Sequence, residues 1–111
     1  MTDRKQPLQE LLAKVEAGTA RPREVFTAFD TPCQDIALQR RAEDARNAYS
    51  GSLDAAKALH EAVLPDQSIR IERRVGGWVV WLDNPYQGIN DNPARAWLIA
   101  ILRALIAQEQ T

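Results

Sequence analysis

Few side chains in this sequence have types that could do covalent or metal chemistry. Among 111 residues there is one histidine, His60, and one cysteine, Cys33. A histidine that acts as a general base or a metal ligand needs a partner: a nucleophile, a carboxylate or further ligands. At helical spacing His60 sits beside Leu53, Ala56 and Leu64, at the edge of an apolar face, while Glu61 points about 100° away around the helix. The expected state is a half-buried boundary histidine. Cys33 falls in the first turn of a predicted helix, where the dipole can lower a thiol pKa. The commoner role of such a residue is that of a small buried hydrophobe. A lone cysteine cannot form an intramolecular disulfide, and a Cys-based zinc site would lack ligands.

Two loops resemble ligand sites at first sight. The stretch "DNPYQGINDN" holds Asp83, Asn84, Asn90, Asp91 and Asn92. Counted from Asp83 against a calcium-binding EF-hand loop, position 3 is Pro85 and position 12 is Ala94 instead of glutamate. Gly88 alone fits that template, so turn and cap chemistry is the better account. The stretch "VGG" lacks the spacing of a phosphate-binding loop and joins strand to strand, not strand to helix. No catalytic residue, metal ligand or cofactor site can be assembled from these elements, and the sequence is expected to be non-enzymatic.

Charge excludes further classes. The chain carries 14 basic and 15 acidic residues, a formal net charge of −1, spread evenly along its length. Nucleic-acid binding relies on clustered positive charge and is disfavoured. The start "MTDRKQPLQELL" has no apolar signal core. The run "AWLIAILRALIA" is too short to span a bilayer and contains Arg103. With its cysteine usage, this predicts a cytoplasmic protein without a membrane partner.

The elements that must position any site follow from periodicity. Leu8, Leu11, Leu12 and Val15 share one helical face, with Pro7 and Gly18 as start and stop signals. Pro22 to Phe29 is a short helix with Val25, Phe26 and Phe29 as its apolar side. Thr31, Pro32 and Gln34 signal another start, for a helix towards Ala48 with the thin stripe Leu38, Ala42, Ala45 and Tyr49. Ser52 caps a helix ending at Leu64, with Leu53, Ala56, Leu59, Val63 and Leu64 on one face. From Ser68 the period becomes two. "IRIERRV" and "WVVWLD" form a hairpin about Gly76-Gly77, with a short third strand near Tyr86 to Ile89. Asn92 caps a last helix that reaches about Gln108 and is apolar around most of its circumference. Either the N-terminal helices or a second subunit must cover it. A homodimer through this helix is therefore a candidate assembly.

A turn at Gly76-Gly77 pairs Val75 with Trp78, Arg74 with Val79, Glu72 with Trp81 and Arg70 with Asp83. Ile69, Ile71, Val75, Trp78, Val80 and Leu82 then form an apolar surface that Arg73 interrupts, and Trp78 is expected in the core. Arg70, Glu72, Arg74, Val79, Trp81 and Asp83 form a mixed face, with Trp81 in cation–π reach of Arg70 and Arg74. Three uses of that face compete. It is a second packing surface under the N-terminal helices, a patch for a protein partner, or a platform for nucleic-acid bases. Near-neutral charge, Glu72 and Asp83 weigh against the last.

"AYSGSLDAAKALHEAVLP", "GGWVVWL" and "NPARAWLIAILRALIA", within residues 48–107, together resemble the phage ABA sandwich domain, a family of small phage and prophage proteins. Asn92 stands where a threonine often precedes the proline of that family, and Trp97 where small residues are usual. The resemblance implies a phage-related protein with an α-β-α sandwich-like arrangement. It implies no catalytic residues. The combined expectation is one α+β domain over residues 1–111, with an N-terminal helical region, 1–47, and a helix–hairpin–helix core, 48–111. Its small antiparallel sheet packs between helices, and its role is to bind a protein partner.

Overall fold

The computed structural model describes residues 5–29, 36–82 and 86–108. The element order is α1 (Lys5–Ala17), α2 (Pro22–Phe29), α3 (Ile36–Tyr49), α4 (Leu53–Val63), β1 (Ile69–Arg74), β2 (Gly77–Leu82), β3 (Tyr86–Asn90) and α5 (Pro93–Gln108). This is an α+β fold with a three-stranded antiparallel sheet in the order β1-β2-β3. The signals Thr31, Pro32 and Gln34, and Cys33 with them, lie outside the described residues.

Helix boundaries follow local chemistry. Ser52 accepts a hydrogen bond from the Ala55 N–H through its hydroxyl, and Asn92 Oδ1 accepts from the N–H groups of Ala94 and Arg95. Both satisfy donors that a helix start leaves open. Gly18, directly after α1, has φ +74°, the left-handed conformation that ends helices.

α5 is the centre of the packing. Leu98, Ile99, Ile101 and Leu102 are each 1 % exposed or less. One side of α5 rests on β3 and β2, and the other is wrapped by α1, α3 and α4. Its apolar excess is thus covered within the chain, which removes the argument for self-association through this helix. The two arginines that interrupt its surface act as ties. Arg95 Nε donates to the Tyr49 carbonyl at 2.6 Å, with its guanidinium over the Tyr49 ring. Arg103 donates to the Gln87 carbonyl and to Glu16. Contact with β3 is closest at Gly88, where a Cβ would lie 1.9 Å from the Ala96 carbonyl oxygen. Only a glycine permits helix and strand backbones to approach so far.

The layers are sheet, α5, then the remaining helices. N-terminal cover was expected over the mixed sheet face, but those helices dock on the far side of α5. The thin stripe of α3 serves this docking: Ala42, Ala45, Ala48 and Tyr49 are buried, and the Tyr49 hydroxyl donates to the Ala20 carbonyl.

The hairpin turns at Val75-Gly76, not at Gly76-Gly77. Arg74 pairs with Gly77, Arg73 with Trp78, Glu72 with Val79, Ile71 with Val80, Arg70 with Trp81 and Ile69 with Leu82. Gly76, at φ +92°, supplies the positive angle at the second turn position. Gly77 instead opens β2 where a Cβ would come within 2.8 Å of the Asn90 carbonyl oxygen. The slip is two residues, so every side chain keeps its expected face. Its cost falls on Val75, which leaves the apolar surface for the exposed tip.

The apolar face is covered unevenly. Val80 and Leu82 are fully buried. Trp78 is half-buried at the margin of the core, and Ile69 and Ile71 are each 38 % exposed. α5 spans β3 and β2 and leaves β1 uncovered. Trp78 is therefore a boundary residue, and Trp97 is the tryptophan of the core, at 6 % exposure. Leu53, expected on the buried face of α4, is exposed; Ala55 and His60 are buried in its stead.

Candidate functional site

The mixed face of the sheet is assembled by alternation alone. β1 contributes Arg70, Glu72 and Arg74, β2 contributes Val79 and Trp81, and β3 adds Gln87 and Ile89 opposite them. Arg70, Arg74 and Ile89 are exposed, and Glu72, Trp81 and Gln87 are half-buried. Asp83 lies outside the described residues. Gln87 and Ile89 are additions that the sequence reading missed. Their signal was the same two-residue period, which would have placed them once the third strand was paired with β2.

Trp81 has two cations beside its ring. The Arg70 and Arg74 guanidinium carbons each lie 5.2 Å from its ring centroid, inside cation–π range. Glu72 joins them: it accepts from Arg70 Nη2, and from Arg74 Nε at 3.2 Å and Nη2 at 3.0 Å. The Arg74 bonds first, then the Arg70 bond, hold the Glu72 carboxyl below the usual glutamate range. The cluster is open to water, so screening keeps its contribution to stability small. Val79, opposite Glu72, is only 6 % exposed but stands outside the main core.

Chemically the cluster offers an aromatic surface beside two guanidinium groups that Glu72 orients. Arg74 spends Nε and Nη2 on Glu72, and a guanidinium has further N–H donors for an acceptor on a partner. On the opposite face Arg73 lies over Trp78 at 5.9 Å. A shallow depression of about 510 Å³ at the hairpin tip, between Arg73, Arg74, Trp78 and Asp91, is open along its side. Its walls mix charge signs and converge on no single point.

His60 is better buried than its boundary position suggested, at 6 % exposure. Its Nδ1 accepts from the Trp97 indole N–H at 3.1 Å, and its Nε2–H donates to the Gln67 carbonyl at 2.8 Å. These two bonds set a neutral ring with its proton on Nε2. Both nitrogens are committed to packing, so the ring is a structural pin between α4, the loop after it, and α5. The sequence could not show this, because Trp97 lies 37 positions away. Among the described residues no group of His, Cys, Asp and Glu is arranged to hold a metal ion. Asn90 and Asn92 serve turn and cap: Asn90 Oδ1 accepts from the Asn92 N–H. Likewise among the described residues, no helix is long and apolar enough to cross a membrane.

Compared with known protein families, curated proteins and solved structures, the chain matches none.

Proposed function

We propose that the protein is a non-enzymatic interaction domain that binds a protein partner through the open sheet face that carries Arg70, Glu72, Arg74, Val79 and Trp81. One observation carries this: Trp81, a large aromatic side chain on a face that no helix among the described residues packs against, with two guanidinium groups each 5.2 Å from its ring centroid. Trp and Arg are the residue types most enriched where interface energy concentrates. Two arginines against one glutamate favour a partner segment that pairs an acidic side chain with an apolar group laid on Trp81. On the sequence pattern of residues 48–107 alone, the proposal extends to a phage-related role in the cytoplasm of a bacterial or phage-infected host cell.

The test begins with recovery of the partner from host extract on the tagged full chain, followed by titration of the purified pair. Trp81→Ala and Arg74→Glu should each weaken binding by about tenfold or more, with melting temperature little changed. Unaltered affinity in both variants would refute the assignment of this face. The second reading, base stacking on Trp81 beside arginines, is favoured by the same geometry and opposed by Glu72 and by the net charge. A low-salt oligonucleotide titration separates the two: saturable binding lost in Trp81→Ala would transfer the face to nucleic acid.

A further inference from the structure

The two edges of the sheet are unlike. At β3, Arg103 of α5 donates to the Gln87 carbonyl at 2.7 Å. At β1 no strand among the described residues pairs with the outer side. The β1 side chains are exposed, except for half-buried Glu72, and Ile69 and Ile71 stand 38 % exposed on the face that α5 covers under the other two strands. Open edges that carry apolar residues are templates for further pairing.

We propose that the outer edge of β1 docks a second copy of this chain, antiparallel about a two-fold axis through Ile71, to form one continuous six-stranded sheet. Backbone geometry allows it. The two-residue turn closes on the Arg74–Gly77 pair, which in such hairpins exchanges hydrogen bonds. Alternation along an antiparallel ladder then sends the N–H and C=O groups of Ile69, Ile71 and Arg73 away from β2. These are the groups a second β1 would meet.

Charge selects the register. With the axis at Ile71, Arg70 faces Glu72 of the second copy, and its own Glu72 faces Arg70 of that copy. Ile71 lies against its counterpart, and Ile69 against Arg73. Moving the axis to Glu72 sets glutamate against glutamate and Arg70 against Arg74. Moving it to Arg70 sets arginine against arginine. Like charges directly opposite are destabilising and opposite charges stabilising, so one register of the three is complementary. A two-fold contact uses both β1 edges at once. Pairing through β1 therefore ends at a dimer. The axis also brings two Trp81 clusters onto one side of the joint sheet. The dimer itself does not depend on the partner reading of that face.

Sedimentation of the full chain across its soluble concentration range tests the proposal. The expected result is a monomer–dimer equilibrium. Arg70→Glu and Glu72→Arg should each weaken it by about tenfold, because each turns two complementary pairs into repulsive ones. The double variant Arg70→Glu/Glu72→Arg should recover dimerisation, and a mixture of the two single variants should form a heterodimer. Ile71→Asp, which sets two carboxylates together at the axis and lies on the face away from Trp81, should abolish the dimer without disturbing partner binding. Thermal melts identify any variant that fails to fold, and recovery by the double variant does not depend on them. A chain that stays monomeric throughout overturns the proposal, and so does a dimer indifferent to the single charge reversals.

Discussion

Trp97 and Trp81 show two ways a fold can use an indole beside polar groups. Trp97 is 6 % exposed, and its N–H is spent on His60, whose ring meets it edge-on at a centroid distance of 5.8 Å. Trp81 is half-buried and keeps company with two guanidinium groups and a carboxylate open to water. In the first setting an unmade hydrogen bond would be costly, so each polar atom has a designated partner. In the second, water competes for every contact, and the interactions orient side chains more than they stabilise the chain. The satisfied, buried pair fixes the fold, whereas the solvated cluster leaves guanidinium donors and ring surface open to water.

The greatest loss of stability should come from Trp97→Ala, at about 3–5 kcal/mol as a buried aromatic deletion. A loss below about 1 kcal/mol in denaturant titrations would mean that Trp97 is not a core anchor. Next is His60→Leu, which removes both hydrogen bonds and leaves the buried indole N–H unpaired. A loss of about 1–3 kcal/mol is expected, with partial recovery in His60→Gln if the amide oxygen can accept from Trp97. Equal stability of His60→Leu and the unaltered chain would remove the pin. Trp81→Ala should cost about 1 kcal/mol or less, the scale of exposed cation–π contacts. A loss matching that of Trp97→Ala would identify Trp81 as a packing residue.

The smallest effect is electrostatic. The Glu72 carboxyl is held down by Arg74 and Arg70, so the folded state binds its proton less readily than the unfolded chain does. Stability from this group is therefore present above the ordinary glutamate pKa and fades as pH falls through the lowered folded value. Arg74→Ala should move the Glu72 titration, followed by NMR, back upward. High salt should shrink that difference. A titration unchanged by Arg74→Ala would show that the contact is not populated in solution.

Much of the fold was legible because its signals are local. Ser52 and Asn92 cap the helices that the sequence assigns to them, Gly18 ends α1, and strict alternation sorted Arg70, Glu72, Arg74, Val79 and Trp81 onto one face. The hairpin register was less legible because Gly76 and Gly77 are adjacent, so two turn frames were open. Selection came from the close passage of Gly77 by Asn90, a contact with a third strand. Cover was not legible either. Periodicity states which face of an element is apolar but not what packs on it, and Trp78, Ile69 and Ile71 were for that reason assigned to a core that extends only to Val80 and Leu82. One signal could have located the axis of the fold: Ala96, Ala100 and Ala104 repeat every four residues along α5, a flat strip for a strand bearing Gly88.

That crossing of Gly88 and α5 has a kinetic consequence. The atoms in contact belong to Gly88, Ala96 and Ala100, residues so near in sequence that closing the loop between them is entropically cheap. The tie between α1 and α5, from Glu16 to Arg103, spans 87 positions and is far slower to find by chain diffusion. β3 and α5 should therefore assemble early, with α1 docking onto a surface already formed. In rate measurements Ala100→Gly should slow folding, and Val15→Ala should chiefly speed unfolding; the reverse pattern would place the nucleus among the N-terminal helices. On this view the glycine that sets the closest approach in the native structure also sets the order in which the structure is reached.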